Sequence, residues 1–329
     1  MRALVRIGRE DRVRRMIALG QALRDGGNMA LCFAAADDAM AQRLAEAGFS
    51  VQTIAAPDVF LALVRGQKPD LLILDKAHGL TRAQGEAARH DAVLLAGIED
   101  ESDCRLACDF AFYPPLPRAE CLTWAGARTV PRIGWNYALP GLHPLPATAP
   151  MPSHRPTLLV HMSDGELSER MARLLTLLDS TFRIRFVIGS GMGGKCAAAI
   201  VALKHNYETV EGADDLSTEY ASADLALSSF GAAAYELAAF GVPALYLGGD
   251  VSAASVFARA GMAIALGEAD ALTDETIREA VKSLMQDANR RRDMRKQALA
   301  LMAGGGASRI AADLVSALRE EKAAFRRAQ

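Results

Sequence analysis

Asp70-Leu71-Leu72-Ile73-Leu74-Asp75 is an unbroken apolar run of four closed at each end by a carboxylate. It is too short for a helix, and no alternating polar face breaks it. A strand of this kind is buried on both sides, as in a parallel sheet covered by helices above and below. The flanking sequence keeps the same rhythm. Upstream, Ala3–Ile7 reads as a strand. Val13–Asp25 reads as a helix with Met16, Leu19, Gly20 and Leu23 on one face, stopped by Gly26-Gly27. Met29–Ala35 is the next strand, Ala39–Ala47 the next helix, Val51–Ile54 a third strand and Val59–Val64 a helix. Downstream, Ala92–Ala96 and Phe110–Tyr113 are strands. Strands alternating with helices predict a doubly wound α/β sheet.

A break in composition follows. Pro140, Pro144, Pro146, Pro150, Pro152 and Pro156 crowd one short stretch, where neither a helix nor a central strand is expected. The rhythm then restarts, with strands at Thr157–Met162, Ile184–Ile188, Asp224–Leu227, Ala244–Leu247 and Ala263–Leu266. Helices are expected at Leu167–Leu178, Ala197–His205, Leu216–Ser222, Ala232–Phe240, Ala253–Ala260, Thr273–Gln286 and Ala307–Ala324. The chain of 329 residues is therefore read as two Rossmann-like halves, 1–139 and 156–305. A proline-rich linker joins them at 140–155, and a last helix is expected at 306–329. In such sheets ligands bind at the carboxyl ends of the strands, so a cleft between the halves is expected.

Composition narrows the function classes. A formal net charge of −2 argues against a nucleic-acid partner. The basic run Arg290-Arg291-Arg292, with Arg295 and Lys296, reads as a solvated helix face. Cys32, Cys104, Cys108, Cys121 and Cys196 are odd in number and scattered, which suits free thiols in a reducing cytoplasm. Only Cys104 and Cys108 lie close, with no second ligand pair nearby, so no metal site is expected. Neither a secretory leader nor a run of about 20 apolar residues is visible, so no membrane span is expected.

Two segments point to phosphate chemistry. In Ala223-Asp224-Leu225-Ala226-Leu227-Ser228-Ser229-Phe230-Gly231 a strand runs into a glycine turn, and a helix starts at Ala232. A helix N-terminus offers N–H groups and a positive dipole end to a diphosphate. Glu236, about one turn in, can accept hydrogen bonds from ribose hydroxyls; alternatively it is a first-turn acid that complements the dipole. The second segment, Gly189-Ser190-Gly191-Met192-Gly193-Gly194-Lys195-Cys196, nearly spells a nucleotide-binding P-loop. Cys196 replaces the magnesium-binding hydroxyl, and a thiol suits a hard cation poorly. The segment reads better as a glycine loop at the cleft mouth, with Gly189 touching the nucleotide and Lys195 meeting a phosphate.

The stretch from Ala223 through Glu236-Leu237 to Gly241-Val242-Pro243-Ala244-Leu245 resembles the nucleotide-binding half of GT-B glycosyltransferases of the MurG kind. It is more similar still to the nucleotide-sugar hydrolase of pseudaminic acid biosynthesis (PseG) and its spore-coat relative SpsG. Further matches occur in order: Asp70–Asp75, Ile98-Glu99-Asp100 with Cys108-Asp109, Gly134-Trp135-Asn136-Tyr137-Ala138-Leu139, and Ser163-Asp164. The resemblance implies a GT-B-like fold with the last helix, 306–329, packing back towards the first half, and a UDP-sugar partner whose UDP lies against the C-terminal half and whose sugar is handled by the N-terminal half. It needs no cofactor or metal, and it implies a cytoplasmic hydrolase of surface-glycan or pseudaminic acid biosynthesis, including flagellin glycosylation. It carries Arg15, Ser229, Phe230, Gly231, Ala232 and Glu236 over as nucleotide- and phosphate-binding residues. The family's catalytic histidine is replaced by Arg12 in Asp11-Arg12-Val13-Arg14-Arg15, and its "DHY" becomes Asp75-Lys76-Ala77. Arginine keeps its proton and cannot accept one from water, although it can clamp an anion. Arg12, Asp11 and Asp75 are thus the catalytic candidates, with Glu10, His78 and His161 as substitute bases. Two glycines of the family's "GGTD" are here His161 and Met162, and Pro140 stands where the family has an arginine. Three activities fit these features: UDP-sugar hydrolysis, transfer from a UDP-sugar to a glycan or protein acceptor, and binding without catalysis.

Overall fold

In β1 (Arg2–Ile7), Ala3, Val5 and Ile7 enter one apolar layer and Leu4 enters another, and all four are buried. A strand buried on both faces requires helices above and below it, which parallel strands joined by helical crossovers supply. The computed structural model describes residues 1–76, 78–141, 155–178, 181–189, 192–203, 205, 207–212, 215–303 and 305–327. Most of the proline-rich stretch, and Ser190 and Gly191 of the glycine loop, lie outside these residues. The chain divides into two units, Met1–Gly141 with Gly304–Gln329, and Leu142–Ala303.

In unit 1, β1 is followed by α1 (Val13–Gly27), β2 (Ala30–Ala35), α2 (Asp38–Glu46), β3 (Ser50–Thr53), α3 (Pro57–Gln67) and β4 (Leu71–Asp75). Then come α4 (Arg82–Asp91), β5 (Leu94–Ile98), β6 (Phe110–Tyr113), α5 (Pro117–Glu120) and β7 (Val130–Ile133). The helix boundaries have local causes. The Asp37 carboxylate caps α2 by accepting from Met40 N, Pro57 opens α3, and Thr81 with Gln84 forms a reciprocal capping box on α4. The seven strands are parallel in the order β3-β2-β1-β4-β5-β6-β7. After β3 the chain returns to the other side of β1, so a crevice opens at the carboxyl ends of β1 and β4. Beside it, buried Arg6 donates from Nε to His78 O at 2.7 Å, and from its other nitrogens to Ile54 O and Ala55 O at 3.1 Å each. Its guanidinium also lies over Phe60. One side chain thus ties down the loops after β3 and β4.

Unit 2 contains β8 (Thr157–His161), α6 (Gly165–Leu175), β9 (Arg183–Ile188), α7 (Gly193–Ala202), β10 (Tyr207–Glu211), α8 (Ser217–Ser222) and β11 (Leu225–Phe230). It continues with α9 (Ala232–Ala239), β12 (Ala244–Gly249), α10 (Val251–Arg259), β13 (Ala263–Gly267), α11 (Asp274–Gln286) and α12 (Ala288–Met302). Its six parallel strands run β10-β9-β8-β11-β12-β13, with the change of direction between β8 and β11. The register slips between Ser228 and Phe230, a bulge that re-aims Ser229. The slip depends on Gly249, which has φ +75° and packs so tightly on the Phe230 backbone that a Cβ would lie 2.3 Å from Phe230 O.

The last helix, α13 (Gly306–Arg327), belongs to unit 1. Ile310, Ala311, Leu314, Val315 and Leu318 share a buried cluster with Leu19 and Leu23 of α1. The helix enters at Gly306, flush against the Ala138 backbone. Tyr137 donates to Asp313 at 3.1 Å, and Lys322 pairs with Asp70 at 2.6 Å. By length and composition alone, Ala288–Arg327 is apolar enough to cross a membrane. Much of that apolarity is the face with which α13 closes the core of unit 1.

A methyl group at position 306 would sit 1.8 Å from Ala138 O. Gly306→Ala is therefore expected to destabilise unit 1 by about 2–3 kcal/mol, the cost of overpacking against backbone that cannot yield. Gly66→Ala, in α3 with nothing within 4 Å of the new methyl, is expected to stabilise by about 0.5–1 kcal/mol. Denaturant unfolding of the two variants checks both signs.

Candidate functional site

The carboxyl-end crevice of unit 1 is filled with charge. After β1 the chain makes a 3-10 turn, Glu10–Arg12, and enters α1, which brings Arg12 and Arg15 over the ends of β4 and β5. Arg12 donates from Nη2 to Asp75 Oδ1 at 2.8 Å, from Nε to both Asp75 oxygens at 3.2 Å, and from Nη1 to Glu99 Oε2 at 2.9 Å. Arg15 Nη1 reaches Glu99 Oε1 at 3.3 Å. All four side chains are buried, and two guanidiniums balance two carboxylates. Burial opposes the Arg12 charge, but Glu99 and Asp75 outweigh it and raise its pKa. Burial also pushes the Glu99 carboxyl upward, yet Arg12 and Arg15 together hold it below the ordinary carboxylate value. Asp75 is raised, by burial first and by the Glu99 charge second. Glu99 adopts φ +52°, a left-handed conformation costing about 1–2 kcal/mol that its ion pairs hold in place.

The other N-terminal candidates lie elsewhere. Exposed Asp11 takes two hydrogen bonds from Arg9, at 2.9 and 3.1 Å, and Glu10 pairs with Arg43 at 3.4 Å. His78 is buried, with both ring nitrogens engaged: Nδ1 accepts from Leu80 N at 3.0 Å and Nε2 meets Asp100 Oδ2 at 3.1 Å. Cys104 lies beside this pair, close enough for His78, Asp100 and Cys104 to be considered as metal ligands. They do not suit one. A metal on either nitrogen would break a hydrogen bond that the ring already makes, and burial pushes the Cys104 thiol up to about 12.

In unit 2 the equivalent crevice, between β8 and β11, is polar but carries less charge. Ser163 donates from its backbone N–H to Ser229 Oγ at 3.1 Å, and the two hydroxyls are 3.2 Å apart, so the loop after β8 is laced to the end of β11. Ser228 Oγ donates to His161 O at 2.8 Å. The N-cap of α9 is Gly231, which has no side chain with which to cap the helix, and Gly231 and Ala232 are exposed. Phe230 turns its ring inward among Tyr246 and Phe257, and its backbone is packed against Gly249, its carbonyl accepting from Asp250 N at 3.4 Å. Glu236 is the fifth residue of α9, not a first-turn acid. It is buried and accepts from the Tyr220 hydroxyl at 3.3 Å. The same hydroxyl lies 3.5 Å from His161 Nδ1. Burial holds the His161 imidazole down at about 4, so the ring is neutral near pH 7.

His161 and Ser163 also line a cavity of about 640 Å³, together with Asp164, Glu166, Glu169, Gly189 and Lys195. Asp164 caps α6 by accepting from Leu167 N at 2.7 Å. Three acids against one lysine make this wall a poor anion receiver, whereas the start of α9 carries no carboxylate in its first turn.

The structure therefore brings Arg12, Arg15 and Asp75 together in unit 1, with Glu99 as the unanticipated fourth member. In unit 2 it brings Ser229 together with Ser163, and Glu236 with Tyr220 and His161. Glu99 stood in a quoted motif, but nothing in its type distinguished it from the neighbouring Asp100. Tyr220 carried no signal, because its role comes from two residues distant in sequence.

Comparison with known proteins locates the fold. No protein-family model matches the sequence, and no curated protein matches it. Solved structures do. UDP-GlcNAc 2-epimerase from Neisseria meningitidis bound to UDP-GlcNAc is 15% identical over 95% of this chain and 99% of that one, with TM-score 0.67. The glycosyltransferase VinC in complex with dTDP is 15% identical over 97% and 100%, with TM-score 0.69. MurG of Acinetobacter baumannii is 16% identical over 91% and 95%, with TM-score 0.62. At this identity the likeness shows the fold: two parallel α/β units of the GT-B kind.

Removing one carboxylate from the unit 1 network leaves buried positive charge in excess. Glu99→Gln is thus expected to cost about 3–5 kcal/mol, read by urea unfolding. For His161 the folded-state pKa of about 4 lies below the unfolded value of about 6.5. Between those values the unfolded chain binds the extra proton, so stability falls as pH falls, by up to about 1.4 kcal/mol per unit. His161→Asn is expected to remove that slope from the pH–stability profile, and an unchanged profile would refute the assignment.

Proposed function

We propose that the chain binds a UDP-sugar through unit 2 and breaks the bond between sugar and diphosphate. It would then be a nucleotide-sugar hydrolase-like enzyme of surface-glycan or nonulosonic (pseudaminic) acid biosynthesis. The observation that carries the reading is the start of α9. An exposed glycine N-cap, a first turn without acids, and the Ser163–Ser229 hydroxyl pair at the adjoining strand ends together make a receiver for a diphosphate. Glu236 stands one turn further in, a carboxylate that would accept from ribose hydroxyls. Two of the structures that share this fold hold UDP-GlcNAc or dTDP, which supports a nucleotide ligand here. Gly231 and Ala232 at the start of α9 would stabilise the charge that develops on the departing diphosphate. Gly189 and Lys195, which the sequence assigns to the nucleotide and a phosphate, line the acid-walled cavity instead, and its three carboxylates leave the phosphates to α9.

A second reading, transfer to a glycan or protein acceptor, is favoured by one observation. Where the resembled hydrolases carry a histidine, Arg12 spends its guanidinium on Asp75 and Glu99. That position holds no proton acceptor for water, which suits an enzyme whose nucleophile arrives with a different substrate.

Incubating the protein with a panel of UDP-sugars, with and without acceptors, separates these activities. UDP released without acceptor marks hydrolysis, release only with acceptor marks transfer, and tight UDP binding with no release leaves a binding protein. In each case Glu236→Ala is expected to weaken UDP about tenfold, or about 1.4 kcal/mol. Unchanged affinity would sink the placement of the nucleotide.

A further inference from the structure

Three rigidly mounted groups meet behind the crevice of unit 2. His161 is the last residue of β8, paired in register with Ser228, whose hydroxyl holds the His161 carbonyl. Tyr220 is fully buried on α8, its ring edge-on to Phe240 with centroids 5.6 Å apart. Glu236 projects from α9. The Tyr220 hydroxyl stands between the other two, 3.3 Å from Glu236 Oε2 and 3.5 Å from His161 Nδ1.

A phenol has a single proton to give. A carboxylate only accepts, so that proton goes to Glu236. The phenol oxygen then faces Nδ1 with its lone pair, and only a protonated Nδ1 can meet it favourably. The neutral ring carries one N–H, so Nε2 is left unprotonated. No protein group bonds Nε2 among the described residues, and His161 lines the cavity.

We infer that Tyr220 is a positioning residue that fixes the Glu236 carboxylate and selects the Nδ1–H tautomer of His161, so that the Nε2 lone pair is presented to the cavity as an acceptor for an O–H or N–H group of the ligand. The chemistry is recognition, not proton removal. An imidazole held neutral down to about pH 4 is a weak base but a steady hydrogen-bond acceptor. The ligand class it suits is a hydroxyl or an imide N–H, both found on nucleotide sugars, and in naming that ligand the inference rests on the function proposed above. The tautomer itself does not depend on that function.

The decisive measurement is made on the full chain without ligand. With ¹⁵N-labelled histidine, long-range ¹H–¹⁵N correlation at pH 7 reports the tautomer of each ring, and His161 is the signal missing from His161→Gln. The expected result is Nδ1–H in the wild type and loss of that preference in Tyr220→Phe. An Nε2–H ring in the wild type overturns the inference. Titration supplies the second readout. Tyr220→Phe is expected to weaken UDP about tenfold while leaving inorganic pyrophosphate, which has no ribose for Glu236, unchanged. Equal losses for both probes would mean that Tyr220 only supports the fold, and would overturn its positioning role. Failure of the wild type to bind UDP at all overturns the nucleotide reading instead, and the tautomer then judges the relay alone.

Discussion

The buried pairing of Arg12 with Asp75 and Glu99 is the constraint on which unit 1 is organised. A doubly wound sheet opens a crevice where its chain changes direction, and that crevice exposes the carboxyl ends of two central strands. Here β4 ends in a carboxylate that is fully buried. Such a charge is tolerable only with a close, well-oriented partner, and the guanidinium of Arg12 supplies several bonds at once. The requirement spreads outward. Arg12 must lie at the start of α1, which sets the 3-10 turn after β1. Glu99 must face both arginines, which holds its backbone in a conformation it would not otherwise adopt. The result is a crevice closed by its own ions.

Unit 2 has the same topology and treats the same position differently. Hydroxyls, a neutral imidazole and a helix start with glycine at its N-cap take the place of the ion network. The unit 2 crevice is held by neutral hydrogen bonds, whereas the groups in unit 1 are locked as ion pairs. If the chain binds a nucleotide sugar, the difference assigns the nucleotide to unit 2.

Much of the architecture was legible because buried parallel strands announce themselves. Asp70–Asp75 and Asp224–Leu227 are apolar runs bounded by polar residues, and glycines mark several of the turns between elements. The elements that escaped reading are those that bury little. β7 is Val130-Pro131-Arg132-Ile133 and β10 is Tyr207-Glu208-Thr209-Val210-Glu211; both are edge strands with no fully buried residue. α4 buries only Gly85 and Ala88, so it has almost no apolar periodicity, and its start is set instead by the Thr81–Gln84 cap. The same logic divides the site. Gly231 and Glu236 were visible because a strand, a glycine turn and a helix follow one another in sequence. The roles of Glu99 and Tyr220 arise from partners 84 to 87 and 16 to 59 positions away, and no local pattern encodes such meetings. Arg12 was legible as a departure from a resembled motif, but its engagement by two acids was not.

The return of α13 to unit 1 has a consequence for how the protein is made. The apolar layer over α1 lacks its cover until Ile310, Leu314 and Leu318 exist, and those residues are translated only after the whole of unit 2. Unit 2 is continuous in sequence and has all its parts before α13 is complete. The half whose strands come first is therefore the half that matures last, and until α13 emerges it exposes a greasy groove shaped for that helix.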